Sequence, residues 1–335
     1  MIDLHLHLDG SLSPEDITYI ASLTDTPLPT SDPDELRALL CAPADCPDLA
    51  DYLRRFELPL SVLQTSEAIE EAVVRLMNRL SAEGLCYAEI RFAPQLHTRR
   101  GLTQQQVVEA ALAGLARGHA TGGTTARLIL CCMRENGNGP VNRYTARLSD
   151  RYRDKGVCAV DLAGNEAAYP TESFSELFNY PDEVGTITPI MHAGEASGHE
   201  SVRAALNLGA RRIGHGIRAI DDPVLVKTLA DRGIPLELCY SSNLQTKAVR
   251  RPEDYPLVQF MEAGVRVTLN TDNTAVSDTT LLREYRLVQT QFGLSDNQME
   301  SIAHNAADAA FLPENEKQRM HRRIEKEFAA WLRQS

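Results

Sequence analysis

The chain has 335 residues, 43% of them hydrophobic and 24% charged, with a formal charge of −12 at pH 7. That length and apolar content suffice for a large core, while the acidic balance and the lack of a basic stripe exclude a nucleic-acid partner. No stretch reaches the roughly 18 apolar residues of a membrane span and the start carries no leader pattern, so no membrane partner is expected and a soluble, cytoplasmic protein is.

The first element, residues 2–8, alternates strictly. On a strand this sets Asp3, His5, His7 and Asp9 on one face and Ile2, Leu4, Leu6 and Leu8 on the other. Two imidazoles one residue apart on such a strand form half a metal site. Residues 11–83 then show helical periodicity with joints at Pro27, Pro29, Pro33, Pro43 and Pro47, an insertion expected to lie over whatever the first strand opens onto. Further strands are predicted at 86–94, 126–133, 157–163, 188–193, 211–216, 234–241 and 266–271. Helices are predicted at 104–119, 141–154, 199–208, 222–231, 253–263 and 281–291.

Eight strands alternating with helices read as an α/β fold, a (β/α)8 TIM barrel in a single domain over 1–335, with a helical insertion between strands 1 and 2 and extra C-terminal helices. The fifth unit is short: 172–180 allows only about two helical turns before 181–185 leads into the next strand. Residues 314–333 read as a charged amphipathic helix in a solvated outer layer. The seven cysteines form no C-x-x-C pair and are expected to be reduced, mostly in the core, with Cys41 and Cys46 in a loop.

In this architecture the C-terminal strand ends converge on one mouth. They carry His5 and His7 from strand 1, His192 and Glu195 after strand 5, His215 after strand 6 and Asp272 after strand 8. The imidazoles of His5, His7 and His192 with the Asp272 carboxylate suit one borderline divalent ion, most naturally Zn2+, with a position left for water. Coordination lowers the pKa of water from 15.7 toward about 7, which points to hydrolysis. Glu195 and His215 remain as proton donor and acceptor. Arg91 reads as a buried cation paired with Glu89 or Asp161, and His97, His119, His199, His304 and His321 as solvated or locally bonded residues.

His-Leu-His-Leu-Asp-Gly at 5–10, Asp-Leu-Ala-Gly at 161–164, His-Ala-Gly-Glu at 192–195, Ile-Gly-His-Gly at 213–216, Ser-Ser-Asn-Leu-Gln-Thr at 241–246 and Asn-Thr-Asp at 270–272 resemble the adenosine deaminase family, in that family's order. The resemblance implies hydrolytic deamination of adenosine or 2'-deoxyadenosine, a small-molecule purine nucleoside, to the inosine product and ammonia. It implies His5, His7, His192 and Asp272 as metal ligands and Glu195, His215 and Asp272 as catalytic residues. His7, Asp9, Gly164 and Asn273 would then meet the substrate: the Gly164 amide at purine N3 and Asp9 at the ribose 5'-hydroxyl. Asp at position 9 resembles the nucleoside deaminases, where free-adenine deaminases typically carry Glu; the alternative reading of Asp9 is a cap for a helix starting near Ser13-Pro14.

Two positions depart from the family pattern. Asn273 stands where many members have a second Asp that meets N7, and offers an amide donor to an unprotonated N7. Tyr240 stands where Pro is common. Other functions compatible with the chain are deamination of adenine or aminodeoxyfutalosine, and a non-catalytic purine-binding protein. The cytidine-deaminase type lacks its His-x-Glu and Pro-Cys-x-x-Cys motifs here, and a two-metal cyclic-amide hydrolase lacks its lysine at the end of strand 4.

Overall fold

The computed structural model describes residues 1–43, 45–179 and 187–334. Eight strands, β1 (Ile2–His7), β2 (Tyr87–Phe92), β3 (Thr125–Met133), β4 (Val157–Ala163), β5 (Thr188–Ala193), β6 (Arg212–His215), β7 (Leu236–Leu238) and β8 (Val267–Leu269), run parallel in chain order, with helices in most of the connections. This is the expected α/β barrel. β8 returns to β1 through a single parallel bridge between Leu6 and Asp272, where the Asp272 N–H donates to the His5 carbonyl and the His7 N–H donates to the Asp272 carbonyl, both at 2.8 Å.

Barrel strands are buried on both faces, and here the inner face is polar. Glu89, Arg91, Asp161, Arg212 and Glu237 are all fully buried. Arg91 donates to Asp161 at 2.9 Å and to Glu237 at 2.8 Å, while Arg212 pairs with Glu89 and Glu237. Of the two partners weighed for Arg91, Asp161 is the one it meets, with Glu237 in addition. Phe311 lies under the Arg212 guanidinium, 4.3 Å from ring centre to Cζ, and its N–H donates to Glu89 at 2.8 Å.

The insertion comprises helices Pro14–Leu23, Pro33–Leu40, Leu49–Leu53, Glu57–Val62 and Ser66–Ala82. Pro14 and Pro33 occupy first-turn positions, where proline's fixed φ and missing N–H cost nothing. Ser13 caps the first helix in a capping box with Asp16, so Asp9 is not its cap.

Three expectations change. The seventh strand is only Leu236–Leu238 and is followed by a helix, Tyr240–Gln245. The buried Glu284 carboxylate accepts the Ser241 N–H and hydroxyl, satisfying a donor that an isolated helix start would leave open. The helix expected at 253–263 begins only at Leu257, after a short turn at Pro252–Asp254 and Pro256. The C-terminal helix Glu314–Leu332 is more than a solvated layer: its stripe of Ile324, Phe328, Trp331 and Leu332 is buried, with Phe328 and Trp331 edge-on to Tyr285. The shortened fifth unit is a five-residue helix, Ser175–Asn179, and the stretch 181–185 lies outside the described residues. Cys46 sits in the loop as expected but is fully buried.

Candidate active site

β1 sends His5 and His7 to the same side, His192 is the penultimate residue of β5, and Asp272 follows β8. One donor atom from each of these four lies within 4.8 Å of all the others. His5 Nε2 and His7 Nε2 are each 3.4 Å from Asp272 Oδ1, and His7 Nε2 is 3.2 Å from His192 Nε2. His5 Nε2 is buried without a hydrogen-bond partner, a costly state unless a cation takes its lone pair.

The far sides of two rings are held. His5 Nδ1 is 2.7 Å from Glu237 Oε2, and His192 Nδ1 is 2.9 Å from Asp161 Oδ2. The Glu237 hydrogen bond fixes the His5 tautomer and turns its Nε2 toward the shared centre, as carboxylates do behind metal-ligating histidines, while Asp161 stands behind His192 at ion-pair distance. Arg91 bridges the same two carboxylates from below and, with Arg212, keeps Glu237 ionised against the upward push of burial. Three imidazole nitrogens and one carboxylate oxygen around one point fit a divalent metal ion.

Glu195 and His215 stand beside the ligands. The two are 3.6 Å apart, Oε2 to Nε2. Burial lifts the Glu195 carboxyl to about 8, with the Asp272 and Glu166 charges acting in the same direction. Burial, followed by the charge of His5, holds His215 well below the usual imidazole range. Both His215 and Asp272 have φ of +61°, an uncommon conformation away from glycine that is retained chiefly where side chains must be aimed.

The helix after β7 supplies groups to which no role was assigned from the sequence. Ser242 Oγ donates to Asp272 Oδ2 at 2.6 Å, Thr246 Oγ1 donates to Glu195 Oε1 at 3.0 Å, and Asn243 Nδ2 meets His215 Nδ1 at 3.0 Å. Tyr255 donates to Asn243 Oδ1 at 3.1 Å and so orients that amide. The signal was the spacing 242, 243, 246, which shares one face only on a helix, and reading 234–241 as strand concealed it.

His7, His192, Glu195, His215 and Asp272 line a cavity of about 220 Å3 that also includes Asp9, Gly164, Asn273, Cys131 and Met133, with Leu49, Tyr52, Leu53, Phe56 and Leu60 from the insertion. That volume is below the 300–1,000 Å3 usual for drug-sized ligands and suits a compact one. Every residue singled out from the sequence as catalytic or substrate-binding borders it: His7, Asp9, Gly164, Glu195, His215, Asp272 and Asn273. One Asp9 oxygen is buried and unpartnered, and burial raises this carboxyl to about 6. Gly164 has φ of +108°, a conformation that favours glycine.

Asn273 is already engaged. Its Nδ2 donates to the Tyr52 hydroxyl at 3.1 Å, and that hydroxyl meets Ser277 Oγ at 2.7 Å. A Cβ on Gly10 would fall 1.8 Å from Asn273 Oδ1, so the absence of a side chain at position 10 makes room for this amide. Outside the site, His97 is buried rather than solvated, bonded through Nδ1 to the Leu63 carbonyl at 2.8 Å.

Residues 1–327 match the family model described as adenosine deaminase. A protein named adenosine deaminase from Haemophilus ducreyi is 48% identical over 332 residues, covering 98% of this chain and 96% of that one. An adenosine deaminase from Enterococcus faecalis is 38% identical over 327 residues, with 98% and 96% covered. Among solved structures, an adenine deaminase from Arthrobacter aurescens superposes with a TM-score of 0.87 at 26% identity, covering 98% of each chain.

Proposed function

The chain belongs to the adenosine deaminase family, and from that premise we propose that it hydrolyses adenosine and 2'-deoxyadenosine to inosine and 2'-deoxyinosine, releasing ammonia. The observation that carries this reading is the convergence of a four-residue ligand set and a carboxyl with a raised pKa on one small cavity. His5, His7, His192 and Asp272 would hold the ion, and their mixture of three nitrogens and one oxygen favours zinc. When bound, the ion supplies acidification of water, from a pKa of 15.7 toward about 7, so that a nucleophile exists at neutral pH.

The chain's own groups do the rest. Glu195 stays protonated near neutrality and donates to purine N1, which draws electron density from C6. Thr246 keeps its carboxyl aimed. His215 is neutral, and because Asn243 donates to its Nδ1, its proton lies on Nε2, directed toward oxygen charge developing at C6. Asp272, steadied by Ser242, is the acceptor that passes a proton toward the departing ammonia.

Substrate is oriented by four groups. The Gly164 amide meets N3, the free Asp9 oxygen accepts the ribose 5'-hydroxyl, His7 borders the ribose side, and Asn273 offers its second amide hydrogen to N7. Leu49, Leu53, Phe56 and Leu60 cover the purine and exclude water. A cytoplasmic location accords with seven unpaired cysteines. Metal analysis together with the absorbance change on converting adenosine to inosine tests the reading, and a panel adding 2'-deoxyadenosine, adenine and aminodeoxyfutalosine tests its substrate. Protein that carries metal yet turns over none of these refutes it.

A further inference from the structure

The ladder between β4 and β5 is short. Only Ala159 with Thr188 and Val160 with Pro189 are paired, so toward the mouth the two strands separate without main-chain bonds between them. Two buried side chains fill that gap. Arg134, following β3, donates to the His192 carbonyl at 2.6 Å and to Thr171 Oγ1 at 2.9 Å. Glu166, three residues beyond the end of β4, takes the loop that follows β5.

That loop is 194–197, which carries Glu195. Glu166 Oε1 accepts the Gly194 N–H at 2.7 Å, and Oε2 accepts the N–H groups of Glu195, Ala196 and Ser197 at 3.0, 2.8 and 3.0 Å. The Ser201 hydroxyl donates to the same carboxylate, and Ser197 Oγ donates to the Glu166 carbonyl at 3.3 Å. Glu166 is 1% exposed. The helix His199–Asn207 that follows receives no side-chain cap from its own Gly198. The donors of the preceding loop therefore depend on this one carboxylate, and hydrogen bonds to a charged acceptor are about twice as strong as those between neutral groups.

We infer that Glu166 is the positioning residue for the proton donor, clamping four consecutive backbone N–H groups so that Glu195 projects into the cavity. Its second effect follows from charge. A fixed anion beside Glu195 opposes ionisation of that carboxyl, together with burial and with Asp272, while Thr246 and His215 face it from the remaining sides. One residue thus aims the acid and adds its charge to the burial and the Asp272 carboxylate that oppose its ionisation. The inference rests on the proposed role of Glu195 and names a residue to which neither the sequence motifs nor the ligand set assigns a part.

Three variants separate the possibilities. Glu166→Gln keeps the shape and three of the four N–H contacts but removes the charge. Its kcat should fall about tenfold with KM within about twofold, metal content unchanged, and the alkaline limb of the kcat–pH profile displaced to lower pH. Ser201→Ala, which removes the hydroxyl shared by Glu166 and Thr171 but none of the four loop N–H contacts, should lower kcat less and leave the pH profile in place. Wild-type kcat and pH profile in Glu166→Gln overturn the inference, as does a loss of kcat with an unmoved profile and an equal rise in KM. Glu195→Gln distinguishes the two levels: near-normal turnover there defeats the role of Glu195 itself, whereas an inactive Glu195→Gln beside an unaffected Glu166→Gln defeats only the role of Glu166.

Discussion

Asp272 meets His5 twice: its backbone N–H donates to the His5 carbonyl at 2.8 Å, and its Oδ1 lies 3.4 Å from His5 Nε2. The first contact belongs to the bridge that closes the barrel between β8 and β1; the second is half of the ligand set. The same pair therefore closes the barrel and supplies two of the four proposed metal ligands.

Removal of the metal should lower thermal stability as well as activity. A ligand at 1,000 times its Kd stabilises the folded state by about 4.1 kcal/mol. A melting curve in chelator should shift to lower temperature and return on adding zinc. An unchanged midpoint would separate the ion from barrel closure.

Glu195→Gln should retain the metal and lose on the order of 10²- to 10⁴-fold in kcat, measured by loss of adenosine absorbance alongside metal analysis.

The pH dependence should have two limbs of different origin. Glu195 acts as an acid only while protonated and its pKa is raised to about 8, so kcat falls as pH rises through that value. Asp9 accepts a hydroxyl best when ionised and its carboxyl is raised to about 6, so KM for adenosine rises as pH falls through that value. 5'-Deoxyadenosine lacks the hydroxyl, and its KM should not follow Asp9. Parallel profiles for the two nucleosides would remove Asp9 from the ribose site.

Glu237→Ala removes the carboxylate behind His5 and takes one of two carboxylate partners from each of the buried Arg91 and Arg212. Breaking a buried charge pair costs about 3–5 kcal/mol, and loss of a carboxylate supporting a ligand weakens metal binding about 10- to 100-fold. Denaturant melts of the metal-free protein and metal titration measure the two effects separately.

Tyr52→Phe releases the Asn273 amide from the hydroxyl to which it donates. KM for adenosine should rise several-fold, by the roughly 0.5–1.5 kcal/mol of one hydrogen bond, with kcat retained. Steady-state kinetics decide this, and a fall in kcat without a change in KM would show that the Tyr52 hydroxyl serves the chemistry rather than binding.

The chain's order of strands and helices was legible from its own periodicity, because alternation and helical spacing are local properties of a few consecutive residues. So were His5, His7, His192, Glu195, His215 and Asp272, since each sits near or just past the C-terminal end of a strand and barrel geometry sends all those ends to one mouth. What only the folded chain decided are the contacts made across it: Glu237 behind His5, Ser242 on Asp272, Tyr52 on Asn273, and Glu166 under the loop of Glu195. Those partners lie from 29 to 232 residues apart along the chain. No local pattern encodes such a pairing; it arises when a buried polar group, deprived of water, must be satisfied by whatever side chain the packing brings within reach.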